Sequence, residues 1–332
     1  MTAVSLAVCR LYCNEDVGTI WPKPTGTVSV SNDVVKINPQ DIIFKTENFK
    51  KEPAYWNMAT DRFKQMQQKK LPTKYSIKSG GKTLLIDVTS ETDDMTFNLD
   101  TFEGYNFKIT EDGNGIHVAV DAKNFFGARH ALETLSQLIV YDNIRNEMLI
   151  VGGAEIEDAP KFKYRGILLD TSRNYFSVES IKRVIEGMAM TKLNTFHWHI
   201  TDSHSFPLVL NSQPELSKLG AYTPEKVYTS ADIEGIVRFA KARGVRVLPE
   251  FDAPAHVGEG WQKKQLTTCF NAQPWKDYCV EPPCGQLDPT KDEVYNVLED
   301  IYREMIDQFQ YPDLFHMGGD EVSVKCWNSS DS

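Results

Sequence analysis

The chain has 332 residues, 41% of them hydrophobic, which is long for one average domain and enough to build sizeable cores. Its 36 Lys and Arg face 46 Asp and Glu, a formal net charge of -10. No Lys/Arg-rich block accompanies that balance and no apolar run approaches the roughly 18 residues that span a bilayer, so neither a nucleic-acid partner nor a membrane span is expected.

In chain order, the opening "MTAVSLAVCRLYC" has a short apolar stretch with no basic residue ahead of it, and it lacks the layout of a complete signal peptide. Trp56, Ala59, Phe63 and Met66 keep helical spacing. "TLLIDV" at 83–88 reads as a strand, and "YNFKITEDGNGIHVAVDA" alternates on both sides of an Asp-Gly/Asn-Gly turn and reads as a hairpin. Residues 1–158 therefore form an α+β domain.

From 159 to 332 the rhythm becomes apolar strand, loop, amphipathic helix, repeated. "RGILLD" (165–170) precedes a helix with Ile181, Val184, Ile185 and Met188 on one face and Ser177 at its N-cap. "NTFHWHI" (194–200) is the second strand. Its helix is capped near Thr229, carries Ile233, Ile236, Val237 and Ala240, and ends at Gly244 before the third strand, "VRVLPEF". A further helix with Val294, Val297, Leu298 and Ile301 leads to a fourth strand, "LFHMGG".

Alternating strands and helices pair in parallel through crossovers, as a doubly wound sheet or a (β/α)8 TIM barrel. The barrel is favoured because no Gly-rich phosphate loop follows the first strand and because every strand delivers polar residues at its C-terminal end. These are Asp170 and Arg173; His197, His199 and Asp202; Glu250, Asp252 and His256; and Asp320 and Glu321. Only about the first four units fit into the sequence, so it reads as truncated at both ends, and this chain alone is expected to be neither stable nor active.

Adjacent acids pose a chemical problem. Most glycosidases flank the scissile bond with carboxyl groups roughly 5 to 5.5 Å apart for retention or roughly 6.5 to 9.5 Å for inversion. Consecutive residues at a strand end cannot readily straddle a sugar, so one of Asp320 and Glu321 could donate the proton while the other needs a different task. For an isolated acid pair the bland alternative is a helix cap beside a solvated carboxylate, but the preceding glycines allow close backbone approach at a strand end shared with other polar residues. "HWH" with His256 could instead hold a metal; in metal-dependent barrel hydrolases, however, the pair sits on the first strand, and here it lies on the second.

Six cysteines, with Cys269, Cys279 and Cys284 grouped and Cys326 further on, and a glycosylation sequon at Asn328 point to a secreted or lysosomal location.

"RGILLDTSRNYF", "FHWHITDSHSFP", "LPEFDAPAHVGEGW" and "FHMGGDEV" occur in the order and spacing of the family 20 glycoside hydrolases, the β-N-acetylhexosaminidases. The first 158 residues also resemble that family's N-terminal domain. Through "CRLYC", "WPKPTG" and "DYCVEPPCGQLDPT" the sequence looks most like the insect chitin-processing members. The resemblance implies removal of terminal, non-reducing N-acetylglucosamine from chitooligosaccharides or glycans. The substrate's 2-acetamido oxygen acts as nucleophile, an exception to the two-carboxylate rule.

It implies roles as well. Asp320 orients and polarises the acetamido group, staying ionised, while Glu321 holds the proton to be transferred and later acts as base. Arg173 binds the sugar's 3- and 4-hydroxyls, His256 contacts Glu321, Asp202 orients His256, and Val280 and Glu281 line the site for the next sugar. The resemblance further implies that Cys326 pairs with a cysteine of the 269–284 loop. No cofactor or metal is implied, and a homodimer is compatible with the family. The competing readings are a catalytically silent carbohydrate-binding homologue or truncated product, and a metal hydrolase.

Overall fold

A computed structural model describes residues 20–73, 80–113, 115–310 and 312–329. The opening cysteine pair in "CRLYC", Asn114 in the hairpin turn and Ser330 in the sequon lie outside the described residues. The chain forms two compact units. The first runs to Tyr164; Met190–Lys192 and Ala242–Gly244 are counted with it, and the second begins at Arg165.

The first unit contains β1 (Val28–Val30), β2 (Val34–Thr46), α1 (Pro53–Lys69), β3 (Lys82–Ser90), β4 (Tyr105–Glu111), β5 (Ile116–Ala122), α2 (Phe125–Gln137), β6 (Ile139–Asp142), β7 (Glu147–Val151) and β8 (Ala154–Asp158). One eight-stranded sheet takes them in the order β1-β8-β4-β5-β3-β2-β7-β6. The hairpin β4–β5 is antiparallel from Tyr105 opposite Ala122 to Glu111 opposite Ile116, and its alternation buries Phe107, Ile109, Val118 and Val120. Helix α1 buries Trp56, Ala59 and Phe63, while Met66 is only half-buried. Gln67 is the buried residue of that turn, its amide donating to Ser136 Oγ at 3.0 Å. Asn124 caps α2 by accepting from the Phe126 and Gly127 amides.

The second unit contains β9 (Gly166–Asp170), α3 (Val178–Met190), β10 (Thr195–Thr201), α4 (Pro214–Gly220), α5 (Ser230–Lys241), β11 (Arg246–Phe251), β12 (Thr267–Thr268), β13 (Gln286–Leu287), α6 (Asp292–Gln308) and α7 (Val324–Asn328). Strands β11-β10-β9 make a three-stranded sheet, parallel throughout, with His199 level with Asp170 on one side and Glu250 on the other. Of the helical stripes read from the sequence, Ile181, Ile185 and Met188 on α3, Ile233, Ile236 and Ala240 on α5, and Val294, Val297 and Ile301 on α6 are buried, while Val184, Val237 and Leu298 are half-buried. Thr229 and Asp232 cap α5 reciprocally, the Asp232 amide donating to Thr229 Oγ1 and the Thr229 amide to Asp232 Oδ2.

The expected fourth strand is not a full strand. Only a parallel bridge of His316 to Glu250 forms, extended by the Met317 carbonyl accepting from the Ala253 amide. Pro312 has no amide to donate, and Gly318 and Gly319, at φ +65° and +106°, turn the chain away. On the other side of the sheet β9 is an edge strand, with Ile167 and Leu168 exposed.

Candidate active site

Each parallel strand ends at the same edge of its sheet, so the loops leaving β9, β10 and β11 bring their polar residues together. After β9, Asp170 Oδ1 accepts from the amides of Ser172 and Arg173, folding the loop back so that Arg173 Nη1 meets Asp170 Oδ2 at 2.6 Å. The other terminal nitrogen, Nη2, faces Asp202 Oδ2 at 3.2 Å and bonds Glu281. Three carboxylates raise the Arg173 pKa despite burial, so the fork stays charged, while Asp170 is held far below the usual carboxylate range although burial opposes this.

Asp202, which follows β10, is 2% exposed. Its Oδ1 accepts from the His204 amide and from His204 Nδ1 at 2.8 Å. Oδ2 meets His256 Nδ1 at 3.1 Å in a charge contact rather than an aligned hydrogen bond. His256 Nε2 in turn stands 3.2 Å from Glu321 Oε2. An unbroken run Asp202–His256–Glu321 thus joins three loops. Burial disfavours the charged forms in this run, but the Asp202 carboxylate, aided by Asp252, raises the His256 pKa, and His256, His204 and Arg173 together lower that of Asp202.

His256 and Glu321 both adopt left-handed backbone, at φ +58° and +56°. For residues with a Cβ this costs on the order of 1–3 kcal/mol each, and such strain concentrates where function fixes the geometry. Asp320 is exposed, and among the described residues no hydrogen bond or ion pair engages it. Glu321, Val280, Glu281 and His256 line one cleft with Tyr278 and Gln286, and Val280 is 58% exposed there. Cys279–Cys284 closes the loop that carries Val280 and Glu281, and Cys269–Cys326 ties that region to α7. Asn328 is exposed at the end of α7.

The remaining histidines lie deeper in the sheet. His199 Nε2 meets Asp252 Oδ2 at 3.1 Å and its Nδ1 stands 3.5 Å from Asp170 Oδ1. Burial opposes its charge, but the two carboxylates raise its pKa to about 10. His197 Nε2 bonds Glu250 at 2.5 Å, and the other oxygen of Glu250 faces His316 Nδ1 at 3.0 Å. Among the described residues four groups of donors could come together on an ion: His197–Glu250–His316, His256–Glu281–Glu321, His199–Glu250–Asp252 and Asp202–Asp252–His256. In the first the carboxylate already bridges both imidazoles at hydrogen-bond distance; in the second the Arg173 cation is bonded to Glu281. Each of the four sets contains an ion pair between its own members: His197 with Glu250, His256 with Glu321, His199 with Asp252, and His256 with Asp202.

From the sequence, Asp252 and Glu250 stand at a strand end without a task, and His316 is not singled out. The signal was available. His197 and His199, two apart on β10, put their rings on Glu250 and Asp252, two apart on and just beyond β11.

Residues 162–332 match the glycosyl hydrolase family 20 catalytic domain and residues 20–138 a beta-acetyl hexosaminidase-like domain. The chain belongs to glycosyl hydrolase family 20. It is similar to the chitooligosaccharidolytic beta-N-acetylglucosaminidase of Bombyx mori, with 53% identity over 99% of this chain and 55% of that protein. The protein of the same description from Ostrinia furnacalis is also 53% identical, over 99% of this chain and 56% of the relative. The chain therefore spans just over half the length of these curated relatives. Among solved structures, a Flavobacterium johnsoniae chitobiase shares the fold with TM-score 0.73 at 23% identity, over 94% of this chain and 46% of that one.

Proposed function

We propose that this chain carries the proton-transfer and sugar-anchoring half of an exo-acting β-N-acetylhexosaminidase that removes terminal N-acetylglucosamine from chitooligosaccharides or glycans. The observation that supports it best is the run Asp202–His256–Glu321, ending in a carboxyl group that faces the Val280–Glu281 cleft. In this reading residues 1–158 are the α+β N-terminal domain and residues 159–332 supply about the first four units of a (β/α)8 barrel.

Glu321 gives its proton to the glycosidic oxygen as the bond from that oxygen to the anomeric carbon breaks. The substrate's acetamido oxygen closes on the same carbon, so an intermolecular attack becomes an intramolecular one. Asp320, next in the chain and free to face the acetamide, polarises its N–H and balances the charge of the oxazolinium. Water then opens that ring, returning its proton to Glu321 and retaining the anomeric configuration. A protonated His256 at 3.2 Å stabilises the Glu321 carboxylate left after donation, and Asp202 keeps that imidazole charged and oriented. Arg173 offers its fork to sugar hydroxyls. Asn328 is the glycosylation site of a secreted or lysosomal protein.

The test is inhibition of the protein, expressed from its complete coding sequence, by a thiazoline mimic of the oxazolinium. Tight competitive inhibition is expected, and indifference to it would remove the substrate-assisted mechanism. A chromogenic N-acetylglucosaminide turned over by neither the parent protein nor Glu321→Gln would favour a carbohydrate binder instead.

A further inference from the structure

The turn that presents Asp320 and Glu321 rests on Asp252, a side chain that is not itself a member of the run Asp202–His256–Glu321. Asp252 is 3% exposed and leaves β11 directly beneath Gly318 and Gly319. A Cβ placed on Gly318 would lie 1.9 Å from Asp252 Oδ1 and 2.7 Å from its Cα, so only glycine fits there. The Gly319 amide points at the same Oδ1 at 3.4 Å. The other oxygen, Oδ2, is held by His199 Nε2 at 3.1 Å, and it stands 4.0 Å from His256 Nε2.

His199 continues the connection. Its Nδ1 faces Asp170 Oδ1, and Asp170 Oδ2 holds Arg173 at 2.6 Å. His199 is itself 6% exposed, and an imidazole in that position meets carboxylates from β9 and from the β11 exit. Glu250 adds a third negative charge nearby. A single buried ring therefore links the arginine at the first strand end to the turn that ends in the adjacent acids.

We propose that Asp252, clamped by His199, is a positioning residue: it seats the Gly318–Gly319 turn and so aims the Glu321 carboxyl at the glycosidic oxygen. The inference rests on the reading of Glu321 as the proton donor. It assigns Asp252 and His199 no contact with the sugar; the Asp202–His256 relay acts on the charge of Glu321, whereas Asp252, which also faces His256 at 4.0 Å, acts on its place.

Leaving-group dependence distinguishes aim from general damage, because a dinitrophenolate departs without a proton whereas a phenolate with no nitro groups needs one. The protein from its complete coding sequence is compared with Asp252→Asn, His199→Gln, Gly318→Ala and Glu321→Gln, reading kcat/KM on 2,4-dinitrophenyl and phenyl N-acetylglucosaminides. Thermal unfolding of each variant selects those that keep their fold. Asp252→Asn is expected to lose ~10- to 100-fold on the phenyl glycoside and under ~3-fold on the dinitrophenyl one, in the same sense as Glu321→Gln and with smaller size. His199→Gln and Gly318→Ala should show the same split. Equal losses on both substrates in the folded variants, beside a clear split in Glu321→Gln, overturn the positioning role. The absence of a split in Glu321→Gln itself overturns the assignment of the proton donor, and the inference with it.

Discussion

Replacing Asp202 by asparagine removes one negative charge at nearly constant shape from the most enclosed point of the relay. Asp202 takes two aligned bonds from His204 on Oδ1, while Oδ2 faces His256 at 3.1 Å and Arg173 at 3.2 Å. The amide can keep the bonds on Oδ1, but not the charge contacts on Oδ2. A charge-assisted contact of this kind contributes ~1.5–3 kcal/mol. At about 1.4 kcal/mol per decade, kcat should fall ~10- to 150-fold. The sign of the pH effect also follows. Asp202 raises the His256 pKa against burial and against the Arg173 cation, so without it His256 loses its proton at lower pH and the alkaline limb of kcat/KM moves down. The assay is the pH profile on a chromogenic N-acetylglucosaminide, beside thermal unfolding to show that the variant is folded. A folded variant whose kcat stays within ~2-fold of the parent, with the alkaline limb unmoved, would refute the relay.

Other consequences can be checked in the same protein. Arg173→Lys replaces a fork engaged by Asp170, Asp202 and Glu281 with a single ammonium, so KM should rise ~10-fold or more in steady-state kinetics; an unchanged KM would take Arg173 out of sugar binding. His199 has a folded pKa of about 10, above the ordinary histidine value. Its contribution to stability, of the order of a few kcal/mol, is therefore complete below pH ~6.5 and lost as pH rises toward 10. Melting temperatures from pH 6 to 10 should decline in the parent and less steeply in His199→Gln; parallel declines would contradict the ion-pair account. Cys326→Ser opens a cross-link whose cysteines are 57 residues apart, which chain entropy values at ~4 kcal/mol. A melting point lower by ~10 °C is expected by calorimetry, and no change would show that the loop is held by other contacts.

The parts of this site that were legible in the sequence are those set by period and local chemistry. The helical stripes on α3, α5 and α6, the cap at Thr229, and the polar residues Asp170, Asp202 and His256 that follow β9, β10 and β11 all follow from spacing that a single segment contains. What one segment does not contain was missed. The task of Asp252 depends on Gly318, 66 positions later in the chain, and on a ring contributed by the neighbouring strand. The partner of Cys326 stayed open among three cysteines, because connectivity depends on how the 269–284 loop folds back; the structure gives Cys269. The fourth strand was overread. Its apolar residues suit a strand, but Pro312 and the two positive-φ glycines leave only a single bridge at His316. The acid pair was recognised as unusual from adjacency alone, yet a division of labour between the two needed the resemblance to supply a nucleophile.

In the proposed mechanism the substrate brings its own nucleophile, with Asp320 managing it and Glu321 moving the proton. Fluorination of the acetamido methyl group weakens that oxygen as a nucleophile and leaves the proton donor untouched. The most direct measurement is therefore kcat/KM along a series of aryl glucosaminides bearing acetyl, monofluoroacetyl, difluoroacetyl and trifluoroacetyl groups. A steep fall with each added fluorine is expected. Rates that do not depend on the fluorine count would mean that the acetamide takes no part in bond formation, and would contradict that mechanism.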